Sequence, residues 1–194
     1  MHALEGRHIS WRGLFSFAAL AALLIVAPTA AYADFSGAYA PGNWTISTGT
    51  GDGSVDTSGA PASVRLIGAD NGEDGSNTDF TIAAAGTGLW SFNFVWDNQD
   101  SDNVFDSGGF LLNGVFTAYG GADTSGSQTP IAVAAGDIIG YRVNCSDCIF
   151  GRGVLTISNF SAPTAQAAVP EPGTLLLVAV GAAGSLALAR RRRA

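Results

Sequence analysis

Residues 88–97 read GLWSFNFVWD, and this stretch decides the fold class. Aromatic side chains occupy every second position, at Trp90, Phe92, Phe94 and Trp96. Successive side chains of a β-strand point to opposite faces, so all four rings would lie on the same face. We expect a strand whose aromatic face is buried in a core. A platform for a ligand is the alternative interpretation.

The same period of two recurs through the middle of the chain, as in DIIGYRVN at residues 137–144. Shorter runs of β-branched, apolar and aromatic residues are NWTIST (43–48), ASVRLI (62–67), TDFTIA (78–83), GFLLNGVF (109–116), PIAVA (130–134) and GVLTISNF (153–160). Clusters of Gly, Asp, Asn and Ser separate them, and no amphipathic helix pattern appears between the termini. About eight short strands predict an all-β domain, an antiparallel β-sandwich of jelly-roll or Greek-key type at residues 34–161. We expect a linker at 162–169.

Charge is unevenly distributed along the chain. The 194 residues carry a formal net charge of −7, yet the chain has no lysine and most arginines lie near its two ends. Between residues 34 and 169 there are three arginines and fourteen acids, a local charge of −11. A surface this negative repels phosphate backbones, which argues against nucleic acid as a partner and favours hard cations or neutral polysaccharides.

The first 33 residues have the parts of a secretory signal peptide. A cationic start is followed by an apolar stretch at residues 14–26, and Ala31 and Ala33 supply the small side chains of a cleavage site. Cleavage after Ala33 would leave Asp34 as the first residue of an exported protein. An uncleaved anchor helix is the alternative, but the apolar stretch is short for a span of about 20 residues.

A second apolar segment lies near the other end of the chain. Residues 174–189 are sixteen residues without a charge, and an arginine cluster follows at 190–193. As a helix this segment would reach about 24 Å, slightly less than the roughly 30 Å hydrocarbon core, and arginine stems can extend to the interface. Because arginine-rich flanks stay in the cytoplasm, we expect a transmembrane helix that holds the body outside.

A plain anchor gives no reason for the triplet Pro170, Glu171 and Pro172, which directly precedes this helix. The triplet, the short apolar helix and the cluster of Arg190, Arg191, Arg192 and Arg193 together resemble a PEP-CTERM sorting signal at residues 170–194. The resemblance implies a Gram-negative host with an exosortase, a membrane protease that cuts near the triplet. It also implies a link to exopolysaccharide or biofilm export.

Missing residue types limit the chemistry of the body. Both histidines, His2 and His8, lie in the predicted signal peptide, so the mature body has neither histidine nor lysine. This excludes Ser-His-Asp and Cys-His catalysis, Schiff-base chemistry and the commonest zinc ligand. Carboxylate-pair hydrolysis remains, but the acids lie mostly in Gly- and Asn-rich loops. We expect no catalytic activity.

The two cysteines, Cys145 and Cys148, follow a predicted strand as Cys-Ser-Asp-Cys. In an oxidising compartment we expect a local disulfide between them. A redox-active pair is the alternative, although no βαβ pattern surrounds it. A zinc site would need two more soft ligands that the chain does not contain.

Two acidic loops are candidate calcium sites, because calcium takes six to eight oxygen ligands. The loop DNQDSDNVFD at 97–106 offers Asp97, Asp100, Asp102 and Asp106. The loop DNGEDGSNTD at 70–79 offers Asp70, Asn71, Glu73, Asp74 and Asp79. Neither loop has the EF-hand spacing, and solvated turns are the alternative.

Together these patterns predict an exported surface or extracellular-matrix protein without catalytic activity, which starts as a membrane-anchored precursor and is sorted by an exosortase. A carbohydrate-binding module is the alternative, with Trp44 and Tyr119 as the platform for a glycan.

Overall fold

The computed structural model of the protein describes residues 32–100 and 105–165. Within these residues the chain forms twelve strands and two short 3-10 turns, Gly37–Tyr39 and Pro41–Asn43. Seven strands form one sheet: β1 (Tyr32–Ala33), β3 (Ser54–Asp56), β4 (Ser63–Ile67), β6 (Gly88–Asn98), β9 (Thr124–Ser127), β10 (Ile131–Val133) and β12 (Gly153–Pro163). Five form the other: β2 (Thr45–Ser47), β5 (Asn77–Ala83), β7 (Asp106–Leu112), β8 (Val115–Ala118) and β11 (Ile138–Cys145). All pairs are antiparallel and one core lies between the sheets, which confirms the predicted β-sandwich.

Neighbouring strands in each sheet are mostly distant in sequence, because the chain crosses between the sheets. The first sheet has the path β10-β6-β12-β4-β3, with β1 on β12 and β9 on β6. The second has the path β2-β5-β11-β7-β8. The long strands β6, β11 and β12 are therefore central, and long connections of this kind are typical of Greek-key sandwiches.

The aromatic stripe of β6 forms one wall of the core. Trp90, Phe92 and Trp96 are at most 2% exposed, and Phe94 is half-buried. Tyr141 of β11 is completely buried opposite them, with its ring centroid 4.9 Å from that of Phe92 in an edge-to-face contact. Such contacts add about 0.5–1.5 kcal/mol beyond area burial. The prediction that this stripe is core is confirmed.

Several strands differ from the sequence pattern. The run at 109–116 is a hairpin, in which Asn113 and Gly114 have positive φ between β7 and β8. The polar strand β9 has no apolar residue and lies along the edge of β6. β12 continues to Pro163, so the expected start of a linker at residue 162 was wrong. The physical reason is that Ala162 is completely buried and pairs with β1, since a small side chain fits a core as well as a linker.

One end of the sandwich, which we call the Tyr39 end, is closed by the segment before β2. The Tyr39 hydroxyl donates to the Pro163 carbonyl oxygen at 2.6 Å and accepts from the Ala85 amide at 2.9 Å. The Trp44 indole donates to the Tyr39 carbonyl oxygen at 2.9 Å and stacks on Phe80 with ring centroids 4.3 Å apart. The Tyr39 hydroxyl and the Trp44 indole N–H are therefore both hydrogen-bonded at this end.

Several predicted features lie outside the described residues. They are Ala31, Asp102, the triplet at 170–172, the apolar segment at 174–189 and the arginines at 190–193. In the part of the chain that is described, no helix is long and apolar enough to cross a membrane. β1 lies inside the predicted signal peptide, so cleavage after Ala33 would remove this short strand from the sheet.

Candidate metal centre

Three loops meet at the end of the sandwich opposite the Tyr39 end, where β12 begins. We call this region the acidic end and define it by Asp70, Asp100, Asp106 and Asp147. The loops follow β4, β6 and β11. Backbone hydrogen bonds join them: the Gly72 amide donates to Cys148 at 2.8 Å, Gly75 to Ser146 at 3.0 Å, and Ser146 to Phe105 at 3.0 Å. The fold therefore brings together acids that are far apart in sequence.

Asp106 is the most buried carboxylate of this end, with 2% of the residue exposed. It begins β7 and pairs in register with Cys145, so its side chain points inward. The Gly153 amide donates to Oδ2 at 3.2 Å, whereas Oδ1 has no donor among the residues that the structure describes. Buried carboxylates are normally hydrogen-bonded, and an unpaired buried oxygen costs about 1–3 kcal/mol or more.

The electrostatic surroundings of Asp106 are negative. Burial raises the pKa of this carboxyl to about 6, and the hydrogen bond from Gly153 opposes the rise. The charges of Asp100, Asp147 and Asp70 are smaller contributions to the same rise. The nearby cation Arg152 is instead ion-paired with Asp52, where the hydrogen bond between them is the main cause of a lowered Asp52 pKa. Asp106 is thus held among carboxylates.

Oxygen atoms surround a disulfide at this end. Carboxylate oxygens of Asp106 and Asp147 and the Cys145 Sγ lie within 4.8 Å of one another. Cys145 and Cys148 are joined in a disulfide, so Sγ is not a thiolate ligand. The Ala69 carbonyl oxygen lies 3.7 Å from this sulfur. The ligand atoms on offer are therefore carboxylate and carbonyl oxygens, the set that hard cations prefer.

The backbone of the third loop is strained beside these carboxylates. Cys148 and Phe150 have φ angles of 54° and 70°, a region that residues other than glycine seldom adopt. Phe150 is 67% exposed and Phe105 is 40% exposed, so two aromatic rings face solvent at the acidic end. Strain of this kind persists where surrounding contacts fix it, and it is common at functional sites.

The predicted calcium loop is divided by the structure. Asp100 and Asp106 point into the acidic end and are 3% and 2% exposed. Asp97 is exposed and accepts a hydrogen bond from the side-chain Nε2 of Gln99 at 3.3 Å, so it is not part of the cluster. Asp147 was missed, because its only sequence signal was its place between two cysteines.

The second predicted loop is dispersed. Asp79 forms an ion pair with Arg142 at 2.7 Å, and the side chains of Glu73 and Asp74 are exposed. Asp70 accepts from the Gly151 amide at 3.3 Å and reaches the edge of the acidic end. The side-chain Oδ1 of Asn71 accepts from the backbone amide of Glu73 at 3.4 Å within the loop. The structure therefore does not bring the oxygens of this loop together as one site.

The predicted glycan platform is also wrong at Trp44. This residue is 7% exposed and packs between Phe80 and the Tyr39 end, so a sugar cannot reach its face. Tyr119 is half-buried, and its ring stacks on Phe94 with centroids 3.7 Å apart. The polar residues around Trp44 in the sequence suggested exposure, but the indole supplies an apolar body and one paired N–H.

Comparison with known proteins identifies the last segment of the chain. A family model described as the PEP-CTERM protein-sorting motif matches residues 168–193. This chain carries a PEP-CTERM sorting motif. The match contains the triplet at 170–172 and the arginines at 190–193, and it confirms the resemblance drawn from them. The PEP-CTERM match covers the tail alone. Among curated proteins, the sequence has no significant match.

Solved structures that resemble the sandwich ahead of the PEP-CTERM motif have low sequence identity to it. An arabinose-bound α-L-arabinofuranosidase is 13% identical over 66% of this chain and 24% of its own, with a TM-score of 0.37. A family 35 carbohydrate-binding module from an environmental isolate is 11% identical over 62% and 93%, with a TM-score of 0.35. A mannan-binding module is 15% identical over 63% and 99%, with a TM-score of 0.26. This chain thus spans about a quarter of the first enzyme, and the sandwich assignment rests on the two sheets themselves.

Proposed function

We propose that this protein is an exported surface or matrix protein, sorted through an exosortase and without catalytic activity of its own. The PEP-CTERM motif at residues 168–193 is the observation that supports it. The tail would anchor the precursor in the membrane, and cleavage near the triplet would release the sandwich to a polysaccharide-rich surface. The exosortase and the membrane are the partners this implies.

The acidic end supports a non-catalytic role. Hydrolysis by a carboxylate pair needs a cleft in which both groups reach the substrate. Asp106 is 2% exposed, so a substrate cannot contact it beside Asp147 without opening the sandwich. The predicted mature body also has no histidine or lysine to act as a general base or a nucleophile.

Intact-mass measurement on cell-surface protein from the native host tests the sorting proposal. We expect the surface form to lack the arginine cluster, and we expect Pro170→Ala combined with Pro172→Ala to keep it. Gln166→Ala is the control, because it changes the preceding segment and leaves the triplet intact. Recovery of wild-type surface protein that still carries residues 174–194 would contradict the proposal and favour a simple anchor.

Carbohydrate binding is the second candidate function. The exposed rings of Phe105 and Phe150 favour it, and they are more accessible to a sugar than Trp44 of the predicted platform. Sugar rings stack on exposed aromatic faces while carboxylates accept from their hydroxyls, and both groups occur at the acidic end. A polysaccharide array with wild type and Phe150→Ala tests this. Val115→Ala is the matched control, because Val115 is 68% exposed and Phe150 67%. Equal binding by both variants would exclude Phe150 as a platform.

A further inference from the structure

Asp106 and Asp147 are on different segments, at the start of β7 and in the loop after β11, yet a carboxylate oxygen of each lies within 4.8 Å of the other. One oxygen of each carboxylate, Oδ1, is buried without a hydrogen-bond donor among the described residues. Asp106 itself is almost completely buried, with 2% of the residue exposed. Two ionised carboxylates this close repel each other, unless a cation or a proton lies between them.

We propose that Asp106 and Asp147 bind one calcium ion at the acidic end, with Asp100 beside them and the Ala69 carbonyl oxygen as a further ligand. The site differs from the loop predicted from the sequence, because it joins three loops and leaves Asp97 out. Its oxygens come from carboxylates and the backbone, as calcium prefers. The ion would hold together the loops after β4, β6 and β11.

Calcium fits this environment better than magnesium does. Magnesium keeps several waters and needs near-ideal octahedral geometry, whereas calcium accepts irregular sets of six to eight oxygens. A buried site formed by three loops offers protein oxygens in an irregular arrangement. Zinc would need soft ligands, and the disulfide of Cys145 and Cys148 withdraws both sulfurs from that role.

A shared proton is the rival explanation. One of the two carboxyls could stay protonated and donate to the other, as in carboxylate pairs whose like charges cannot both ionise. In that case calcium would not change the stability, and the acidic end would be a neutral hydrogen-bonded pair. The experiment therefore has to report on the metal directly.

Terbium, which replaces calcium at oxygen sites and emits when a nearby indole is excited, provides the direct probe. Trp96 is suited as the donor, because its ring packs against Gly108 and against Gly153, whose amide donates to Asp106. With the full chain in detergent, we expect sensitised terbium emission that calcium displaces. Asp106→Asn and Asp147→Asn should abolish the emission, and Asp97→Asn should retain it.

Thermal unfolding of the same samples tests the stabilising effect. A cation that binds the folded state at roughly one hundred times its Kd should raise the Tm by about 5–10 °C in a chain of this size. We expect this rise with millimolar calcium, and little of it with equal magnesium or with chelator. The rise should vanish in Asp147→Asn and persist in Asp97→Asn.

Asp97→Asn is the matched control, since it removes the same charge from an exposed carboxylate three residues before Asp100. If Asp106→Asn fails to fold, the half-buried Asp147→Asn carries the test. Equal Tm values in calcium and chelator would overturn the proposal in favour of the shared proton. Calcium-displaceable emission that survives both substitutions would place the ion elsewhere and overturn it as well.

Discussion

The two ends of the sandwich treat buried polar groups differently. At the Tyr39 end, one hydroxyl both donates to Pro163 and accepts from Ala85, and the Trp44 indole N–H reaches the Tyr39 carbonyl oxygen. At the acidic end, the Asp106 and Asp147 side chains each keep one buried oxygen without a donor among the described residues. The same core is thus closed by paired groups at one end and by like charges at the other.

The difference shows that the stability of one end depends on the protein alone, whereas that of the other end depends on ions and protons from solution. A paired buried hydroxyl needs nothing from solution, and its contribution is fixed by the fold. An unpaired buried carboxylate lowers stability until a cation or a proton arrives. We therefore expect substitutions at the Tyr39 end to have the same effect in all buffers, and those at the acidic end to depend on calcium.

The largest effect is expected when a buried aromatic residue at the Tyr39 end is compared with an exposed one at the acidic end. Trp44→Ala removes a buried ring stacked on Phe80 and should lower the free energy of unfolding by about 3–5 kcal/mol. Phe150→Ala removes a ring that is 67% exposed and should change it by less than about 0.5 kcal/mol. Chemical denaturation in chelator measures both. A small loss in Trp44→Ala would show that this ring is not part of the core.

A smaller effect is expected when single hydroxyls are removed. Tyr39→Phe leaves the Pro163 carbonyl and the Ala85 amide without their partner and should cost about 1–3 kcal/mol. Tyr119→Phe removes a buried hydroxyl that has no partner among residues 32–100 and 105–165, so it should cost little. Thermal unfolding of the two variants gives the difference directly. Equal losses would mean that the Tyr39 hydroxyl is not a specific closure of its end.

The smallest effect is expected for two Asp→Asn substitutions, one at each end, which should change the stability in opposite directions. Asp137 lies at the Tyr39 end, where its carboxylate accepts from the Ala134 amide at 2.7 Å and from Asn113 at 3.1 Å. Asp137→Asn should therefore lower stability, because the amide replaces the acceptor of both bonds. In chelator, Asp106→Asn should instead raise it by about 1 kcal/mol, because an amide can donate to the facing carboxylate and removes a buried charge.

Denaturation curves with chelator present test the sign. Loss of stability in both variants would show that Asp106 is already satisfied in the metal-free protein, and that the two ends are alike. Adding calcium sharpens the comparison, since it should stabilise the wild type and Asp137→Asn but not Asp106→Asn.

The core could be predicted from the sequence because its residues recur at every second position of a strand. Trp90, Phe92 and Trp96 alternate with smaller residues, and the pleat of a strand converts that alternation into one buried face. Edge strands were harder to predict: β9 is Thr-Ser-Gly-Ser, and it is a strand because β6 offers an unpaired edge. That information lies in the partner strand, not in the four residues.

The site was less predictable for the same reason. Asp100 and Asp106 were found as part of an acidic loop, but Asp147 comes from a loop about forty residues later, and only the strand order brings it near. The high local density of acids at residues 70–79 was also a poor guide to a metal site, because Asp79 is ion-paired with an arginine on the adjacent strand β11. Trp44 shows the opposite error, since a ring in a polar stretch became core once the chain folded over the sheet edge.

The last strand also determines how the domain responds to mechanical force. β12 has eleven residues and is hydrogen-bonded to β6 on one side and to β4 on the other, and the chain continues from its Pro163 end toward the sorting motif. Tension transmitted from a membrane-held tail would pull β12 along its own axis. Its two ladders would then be loaded in shear, with many hydrogen bonds sharing the force at once instead of opening one by one. Until cleavage releases it, a precursor tethered through this central strand would therefore resist unfolding better than one tethered through an edge strand.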